Sequence, residues 1–262
     1  MLVICNGTFK SGSSWLHAII LEIFRVKNKP IKKIPCQYNP NLNSPTRILE
    51  KKLFDFLKFE DFNTNHYVTK SHYFSEKVLN KTYSDNVKFI FIQRDIKDAI
   101  VSHYYHVKQY RYPNISFEKY FRFIGKFKAY EISLFNLRSK KYFKSDLIFS
   151  YSNIKNDFDN TVINLCKILG LKELSKEEIL KIKENTSLLN MRNAAKEGKN
   201  NYYPELGVQN YKMFRKGSIG EWKKYYNKKN LKLINQIINL KPPSKIKIFY
   251  FFVFTLRRKI GF

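Results

Sequence analysis

Short apolar runs alternate along this chain with longer segments in which apolar residues recur every three or four positions. Four runs, at residues 2–5, 67–70, 87–93 and 147–151, have the length and composition of buried strands. Two polar segments that contain proline or glycine, 28–45 and 192–221, are predicted as loops. The helical spacing predicts helices at residues 15–24, 47–62, 96–107, 116–139, 157–169, 175–184 and 228–240.

The alternation of strands and helices predicts an α/β fold, a single domain with a central parallel β-sheet flanked by helices. Ligands of such a sheet bind beyond the carboxyl ends of its strands. We therefore expect the functional residues to follow the strands directly. We assign residues 1–240 to this domain and residues 241–262 to a basic, aromatic C-terminal tail.

The large net positive charge of the chain does not by itself identify a class of partner. The 262 residues include 49 Lys and Arg and 21 Asp and Glu, which gives a formal net charge of +28. This excess fits nucleic acid, anionic lipid or a polyanionic small molecule, or it is lysine solvated at the surface. The sequence contains no zinc-finger spacing, aromatic RNA-binding signature or basic zipper, so we expect no nucleic-acid partner.

The cysteines and histidines indicate the compartment and the metal chemistry. Cys5, Cys36 and Cys166 are few, odd in number and widely spaced, as in proteins of a reducing compartment. The five histidines have no companions at metal-ligand spacing, so we expect no metal. Met1 leads directly into the first strand without an apolar signal core, and we expect a cytoplasmic location.

The turn after the first strand carries a phosphate-binding pattern. Four residues separate Gly7 from Gly12, a spacing that lets backbone N–H groups and the next helix N-terminus surround a phosphate. In an ATP-binding loop a lysine follows the second glycine. Here Ser13 follows it, and the lysine stands inside the loop as Lys10. Lys10 can contact a single 5′-phosphate and its bridging oxygen, with Ser13 and Ser14 as further donors. The alternative is an ordinary strand-turn-helix corner.

An arginine follows the third strand. Arg94 stands at the carboxyl end of that strand and beside a predicted helix, where its guanidinium can bind a phosphate with two hydrogen bonds. Ser102 lies about two turns into the helix and can donate to the same anion. The alternative is an ion pair between Arg94 and Asp98.

A histidine follows the second strand, in Thr69-Lys70-Ser71-His72. Histidine accepts a proton near neutral pH and can therefore activate an acceptor hydroxyl. A single histidine is more often structural, but the end of a parallel strand is where an active site lies. His72 is therefore a candidate general base.

Taken in order, these segments resemble the cytosolic-type sulfotransferase family, which uses 3′-phosphoadenosine 5′-phosphosulfate (PAPS) as sulfuryl donor. Residues 10–15 resemble its 5′-phosphosulfate loop, residues 70–72 its Lys-Ser/Thr-His motif and residues 94–106 its 3′-phosphate motif. Residues 215–223 resemble the family's Arg-Lys-Gly-x-x-Gly-Asp-Trp-Lys motif. The resemblance runs from residue 2 to about residue 223. It implies a fold like that of the P-loop-containing nucleoside triphosphate hydrolases.

The resemblance also implies an activity and a set of site residues. The activity is sulfuryl transfer from PAPS to an acceptor hydroxyl or amine by in-line displacement. His72 is implied as general base, Lys70 as a neighbouring charge stabiliser and Lys10 as the contact to the 5′-phosphosulfate. The implied donor-binding residues are Lys10, Ser11, Gly12, Ser13, Ser14, Trp15, Arg94, Ser102, Tyr151, Thr186, Ser187, Met191, Phe214, Arg215, Lys216 and Gly217. For Tyr151 and Met191, packing in the core is the alternative to donor binding.

The sequence identifies neither the acceptor nor the oligomeric state. We expect a small-molecule or glycan acceptor, and the family's dimer motif after the tryptophan is absent. A P-loop kinase and a non-catalytic nucleic-acid-binding protein are the alternative functions, although no acidic motif is placed to hold magnesium. In the tail, the apolar residues 248–256 and the cations at 257–259 either pack as a last strand or helix or lie on an anionic membrane surface.

Overall fold

A four-stranded parallel β-sheet carries all four predicted strands, in the order β2-β1-β3-β4. The fully buried β1 (Leu2–Gly7) pairs with β2 (Tyr67–Ser71) on one side and with β3 (Val87–Gln93) on the other. The last strand, β4 (Ile148–Ser150), pairs with β3. The predicted α/β class with a central parallel sheet is confirmed. Because the chain goes from β1 to β2 and then returns to the opposite side of β1, the winding direction reverses at the carboxyl end of β1.

The register of the sheet brings the carboxyl ends of the four strands to one edge. Gly7 pairs with Ile92 of β3. On the other side of β1, Asn6 pairs with Ser71, the last residue of β2. The last pairing of β3 with β4 joins Gln93 to Ser150. Each strand is therefore followed, at this edge, by a segment in which the sequence predicts a functional residue.

The computed structural model describes residues 1–39, 47–59, 62, 64–81, 85–197 and 215–260, with residues 254–260 described by their backbone. Met1–Arg94 and Ser139–Ser218 form one compact unit, which holds the sheet, and Asp95–Arg138 and Ile219–Phe262 form a second. The helices are α1 (Ser13–Val26), α2 (Leu53–Phe56), α3 (Glu76–Leu79), α4 (Ile96–Tyr110), α5 (Phe117–Tyr120), α6 (Lys126–Tyr142), α7 (Tyr151–Asn156), α8 (Phe158–Ile168), α9 (Lys176–Asn185), α10 (Leu188–Lys196), α11 (Lys228–Ile238) and α12 (Ser244–Ile260).

The core of the first unit lies between the sheet and helices α1 and α8. The buried side of α1 presents a stripe of apolar residues at helical spacing. Val162 and Leu165 of α8 are fully buried in the same cluster as Val3 of β1 and Ile90 of β3. Burial of each such side chain stabilises the fold by roughly 1.5–3 kcal/mol. The stripe consists of Leu16, Ile19, Ile20, Ile23 and Phe24.

In the second unit, an aspartate on α4 organises the start of the C-terminal segment. Asp98 is buried, and its carboxylate accepts hydrogen bonds from the backbone N–H groups of Gly220 (2.7 Å) and Trp222 (3.0 Å). A cluster of aromatic rings follows, in which Phe117 packs edge-on against Tyr226 at 5.0 Å. Burial raises the pKa of the Tyr226 phenol, so that this hydroxyl stays neutral.

Two predicted elements differ from the structure. The helix predicted over residues 47–62 is wrong, because the chain forms a 3₁₀ turn at Glu50–Lys52 followed only by the short helix α2. Phe56 of α2 packs edge-on against Tyr38 (5.1 Å) and Tyr67 (5.1 Å), so distant aromatic partners determine this segment rather than helical propensity.

The long loop predicted over residues 192–221 is also too long. Residues 192–196 belong to helix α10, whose N-cap is Ser187. Residues 198–214 lie outside the described residues.

The helix predicted over 116–139 is present but includes a π-helical turn at Phe121–Gly125, where a Cβ on Gly125 would lie 2.9 Å from the ring of Tyr120.

The tail is helical, since α12 begins at Ser244. None of the helices in the described part of the chain is both long enough and apolar enough to cross a membrane.

We expect Ser175→Ala to destabilise the first unit by about 1 kcal/mol. Ser175 accepts from the backbone N–H of Glu178, and the Glu178 carboxylate accepts from the backbone N–H of Ser175, which makes a capping box at the start of α9. Urea unfolding measures the loss. Ser145→Ala, at an exposed serine in a 3₁₀ turn, is the matched control and should unfold like wild type. Equal midpoints for the two variants would contradict the capping role.

Candidate active site

The loop between β1 and α1 has a conformation that only a small residue permits at its end. Gly12 is the N-cap of α1 with φ 101°, a left-handed conformation that favours glycine. A Cβ on Gly12 would lie 2.7 Å from the ring of Tyr151 and 3.2 Å from Cδ1 of Ile92. Inside the loop, the buried Ser11 hydroxyl donates to the carbonyl of Thr8 at 2.7 Å. The predicted spacing of Gly7 and Gly12 therefore corresponds to a tight loop that packs against Tyr151, the residue after β4.

Lys10, inside this loop, is a cation crowded by other cations. Burial, together with the nearby charges of Arg94 and Arg215, lowers the pKa of its ammonium group to about 8. Its backbone is also left-handed, with φ 60°, which is unusual for a residue with a Cβ. An anion beside Lys10, Arg94 and Arg215 would lower the electrostatic free energy of these three cations. The carboxyl end of β1 therefore carries concentrated positive charge that suits an anion.

Two backbone carbonyls accept hydrogen bonds from Arg94, whose Nε is buried. Its guanidinium donates to the carbonyls of Lys10 (3.4 Å) and Ser218 (2.7 Å) and lies 4.4 Å from the centre of the Tyr151 ring. Among the residues that the structure describes, its buried Nε has no hydrogen-bond partner. An unsatisfied buried donor is costly, and an acceptor supplied by a ligand removes that cost.

His72 lies at the end of β2, next to the loop. Its Nδ1 contacts the carbonyl oxygen of Gly7. Since a carbonyl oxygen can only accept, Nδ1 carries the proton, and in the neutral ring the lone pair is then on Nε2. A histidine in this tautomer can accept a proton through Nε2.

Two side chains that the sequence did not indicate hold the segment that carries His72. Asn6 of β1 is fully buried, and its amide exchanges two hydrogen bonds with the backbone of Tyr73, at 2.8 and 3.2 Å. The Glu50 carboxylate accepts from the backbone N–H groups of Phe74 (3.0 Å) and Ser75 (2.7 Å). A polar residue inside the otherwise apolar strand β1 is the signal that could have identified Asn6.

Lys70 brings a second buried cation to the same edge. Its ammonium group donates to the hydroxyl of Ser14 at 3.0 Å. Burial, together with the charges of Arg47 and Lys10, lowers the pKa of this ammonium group to about 8. The neighbouring Ser13 is buried in the first turn of α1. The predicted Lys70 and Ser14 therefore lie together, and Arg47 is an additional cation that sequence reasoning missed.

Trp15, in the first turn of α1, contacts Thr186 and the rings of Tyr151 and Phe158. Its indole N–H donates to the carbonyl of Thr186 at 2.9 Å. Its ring stacks with Phe158 at 6.3 Å and meets Tyr151 edge-on at 5.5 Å. The buried Met191 follows one turn into α10. The predicted Trp15, Tyr151 and Thr186 therefore form one side of the site, and Phe158 adds a ring that the sequence did not predict.

The segment after the undescribed residues returns to the same place. Gly217 has φ 60°, and a Cβ there would lie 3.0 Å from the hydroxyl oxygen of Tyr151. Lys155 donates to the carbonyl of Gly217 at 2.6 Å, and Arg192 donates to that of Arg215. The exposed Lys216 stands between the two carbonyl groups that are held in this way.

Two predicted site residues, Phe214 and Ser102, stay predictions. Phe214 lies outside the described residues. Ser102 is half-buried on α4, in the second unit. In the described part of the chain, no group of three or more His, Cys, Asp or Glu side chains is placed to hold a metal ion.

The fold and the site define a class of protein. A parallel sheet whose first strand leads into a glycine-bounded, lysine-containing loop and a helix is a P-loop-like, nucleotide-binding arrangement. A model of the sulfotransferase domain matches residues 2–248, and the chain belongs to that family. The predicted resemblance to cytosolic-type sulfotransferases is confirmed.

Relatives with established names agree with this assignment. Human sulfotransferase 2A1 is 30% identical over 158 residues, which are 55% of this chain and 52% of the relative, so the match spans about half of that protein. Flavonol 3-sulfotransferase of Flaveria bidentis is 23% identical over 253 residues, 88% of this chain and 78% of the relative. The crystal structure of mouse sulfotransferase SULT7A1 complexed with PAP superposes with a TM-score of 0.65 at 23% identity, covering 92% of this chain and 82% of that one.

We expect Lys10→Met to raise the free energy of unfolding at pH 7, because it removes a buried charge that repels Arg94 and Arg215. The gain should shrink as the pH rises from about 8 toward 10.5. In that window the unfolded wild type still binds the lysine proton while the folded wild type has lost it, so wild-type stability rises with pH.

Denaturant titrations of wild type and Lys10→Met at several pH values measure this difference. Lys181→Met, at an exposed lysine of α9, is the matched control and should show no such pH dependence relative to wild type. A stability difference between Lys10→Met and wild type that stays constant from pH 7 to about 10.5 would mean that Lys10 is not buried as a cation.

Proposed function

We propose that this protein is a PAPS-dependent sulfotransferase, which transfers a sulfuryl group to an acceptor hydroxyl or amine. The observation that carries the proposal is the cluster of three cations, Lys10, Arg94 and Arg215, at the carboxyl end of β1, where Lys10 is buried. Such a cluster fits a ligand with several negative charges. Membership of the sulfotransferase family supports PAPS as that ligand.

The residues present fit the two anionic ends of PAPS. Lys10, Ser11, Gly12, Ser13 and Ser14 form the loop at the start of α1, where backbone N–H groups and the helix dipole favour a phosphate. We assign this loop to the 5′-phosphosulfate. The second anionic end, the 3′-phosphate, is assigned to a different group of residues. They are Arg94, whose buried Nε lacks a partner among the described residues, together with Arg215, Lys216 and Gly217. Ser102 and Phe214 stay predictions from the sequence resemblance.

The adenine is assigned to the aromatic side of the loop. Trp15 and Tyr151 present rings there, and stacking on a purine is a usual role for such rings. Thr186, Ser187 and Met191 lie where α9 ends and α10 begins, with the carbonyl of Thr186 bound to the indole of Trp15. PAP in the related SULT7A1 structure is consistent with a nucleotide of this type.

His72 acts as the general base in this proposal. When bound, PAPS supplies the sulfuryl group and leaves as 3′-phosphoadenosine 5′-phosphate. Nε2 of His72 takes the proton of the acceptor hydroxyl while the acceptor oxygen bonds to sulfur and the bond from sulfur to the 5′-phosphate oxygen breaks. The hydrogen bond from Nδ1 to the carbonyl of Gly7 holds the ring in the tautomer that this step requires.

Lys10 and Lys70 act on charge. The ammonium group of Lys10 stabilises the negative charge that develops on the departing phosphate oxygen. Lys70 holds the hydroxyl of Ser14 and adds positive charge next to the loop. Because both amines have a pKa near 8, both carry a proton at neutral pH.

The remaining parts of the proposal concern the whole protein. We propose a small-molecule or glycan acceptor, supported by a relative named for its flavonol acceptor, and a cytoplasmic location. We also propose that residues 1–240 form the sulfotransferase domain and that residues 241–262 form its basic, aromatic C-terminal tail.

We expect His72→Ala to lower kcat by roughly 10²–10⁴-fold, the usual contribution of a general base, while donor affinity stays close to wild type. Lys10→Ala should lower kcat as well. Transfer of label from radiolabelled PAPS to a panel of phenols, flavonols and steroids measures turnover. Lys181→Ala is the control and should retain wild-type turnover. Wild-type turnover by purified, folded His72→Ala would refute its role.

We expect Arg94→Ala to weaken PAP binding by roughly 10- to 100-fold, as expected for loss of hydrogen bonds to a charged group. Calorimetry with PAP measures the affinity, and ATP serves as the comparison ligand that a P-loop kinase would prefer. Arg111→Ala, at an exposed arginine of the second unit, is the control. Unchanged PAP affinity in Arg94→Ala would remove this residue from the site, and preference for ATP would contradict the proposed donor.

A further inference from the structure

Helix α12 has one face that packs within the second unit. Ile246, Tyr250 and Val253 are spaced four and three residues apart, and they are buried or half-buried. The ring of Tyr250 meets that of Tyr130 edge-on at 5.2 Å. This face therefore accounts for part of the apolar character of the helix.

The opposite face of α12 is also apolar, but it is exposed. Ile248, Phe251 and Phe252 are again spaced three and four residues along the helix, with exposed fractions of 64%, 72% and 66%. Single exposed apolar residues are ordinary, but a contiguous group of large ones marks a surface that binds something apolar. A helix that is apolar on both sides is normally covered on both sides.

The charge around this face indicates what covers it. Residues 241–262 contain six Lys and Arg residues and neither Asp nor Glu. Lys245 and Lys247 are exposed at the start of α12. A second copy of the chain would bring together two molecules of formal charge +28, which repel each other. An anionic lipid surface offers both apolar chains and negative charge.

The length of α12 is consistent with a helix that lies along a membrane surface. Its 17 residues span about 25 Å, and no described helix meets the requirements for crossing a bilayer. We propose that α12 binds an anionic membrane in the plane of its surface. Ile248, Phe251 and Phe252 insert at the level of the headgroups, and Lys245 and Lys247 contact lipid phosphates. The proposal is independent of the sulfotransferase reaction.

Co-sedimentation of the full chain with vesicles tests the proposal. We expect binding to phosphatidylcholine vesicles that contain phosphatidylserine, and at least roughly 10-fold weaker binding to pure phosphatidylcholine. Phe252→Ser should weaken binding by roughly 10-fold, since it removes one inserted aromatic side chain. Leu180→Ser, at a leucine of α9 that is 61% exposed, is the matched control and should bind like wild type.

A charge pair of variants tests the electrostatic part. Lys245→Glu combined with Lys247→Glu should weaken binding by more than roughly 25-fold, while Lys176→Glu combined with Lys181→Glu, on α9, should change it much less. Thermal unfolding and circular dichroism show that each variant is folded.

Three results would overturn the proposal. They are failure of wild type to bind the anionic vesicles, equal binding by Phe252→Ser and Leu180→Ser, and equal effects of the two charge pairs. Sedimentation velocity without lipid supplies a further test. A dimer that Phe252→Ser dissociates would show that a second copy covers this face, and the membrane proposal would then be wrong.

Discussion

The repulsion among cations at the carboxyl end of β1 is the constraint around which the site is organised. Lys10, Lys70 and Arg94 all lie at the ends of neighbouring strands, and burial prevents water from screening them fully. The protein offsets part of this cost with neutral acceptors. Arg94 binds two backbone carbonyls and the face of Tyr151, and Lys70 binds the hydroxyl of Ser14. These contacts hold the cations in place without neutralising them, so that the charge is available to a ligand.

The parallel sheet makes this arrangement possible because all four strands end at one edge. Gly7 ends β1 and supplies the carbonyl that fixes the tautomer of His72. Asn6, one residue earlier, binds the backbone after His72, so His72 and the loop share one support. The side chain of Tyr151, directly after β4, then fills the space that Gly12 and Gly217 leave open. A Cβ on Gly12 would approach that ring too closely, a Cβ on Gly217 would lie 3.0 Å from the Tyr151 hydroxyl oxygen, and both positions have a positive φ that favours glycine.

The sequence predicted those features that depend on local pattern. The limits of β3 are Val87–Gln93 as predicted, because an apolar run interrupted only by Lys88 is largely buried. Lys10, His72 and Arg94 each follow a predicted strand, and parallel topology alone brings them to one edge. The helix predicted over 47–62 failed because Phe56 finds its partners in Tyr38 and Tyr67, far away in sequence. The positioning roles of Asn6 and Glu50 depend on strand register and on backbone N–H groups of other segments. No sequence period reveals such bonds.

The hydrogen bond between His72 and the end of β1 also has a consequence for evolution. Since His72 and the loop are attached to adjacent strands, a change of acceptor in the proposed reaction must leave their separation unaltered. In the proposed reaction, selectivity for one acceptor over another therefore has to reside in segments that are not part of the sheet edge. Such segments can diverge rapidly among paralogues while the transfer chemistry stays the same.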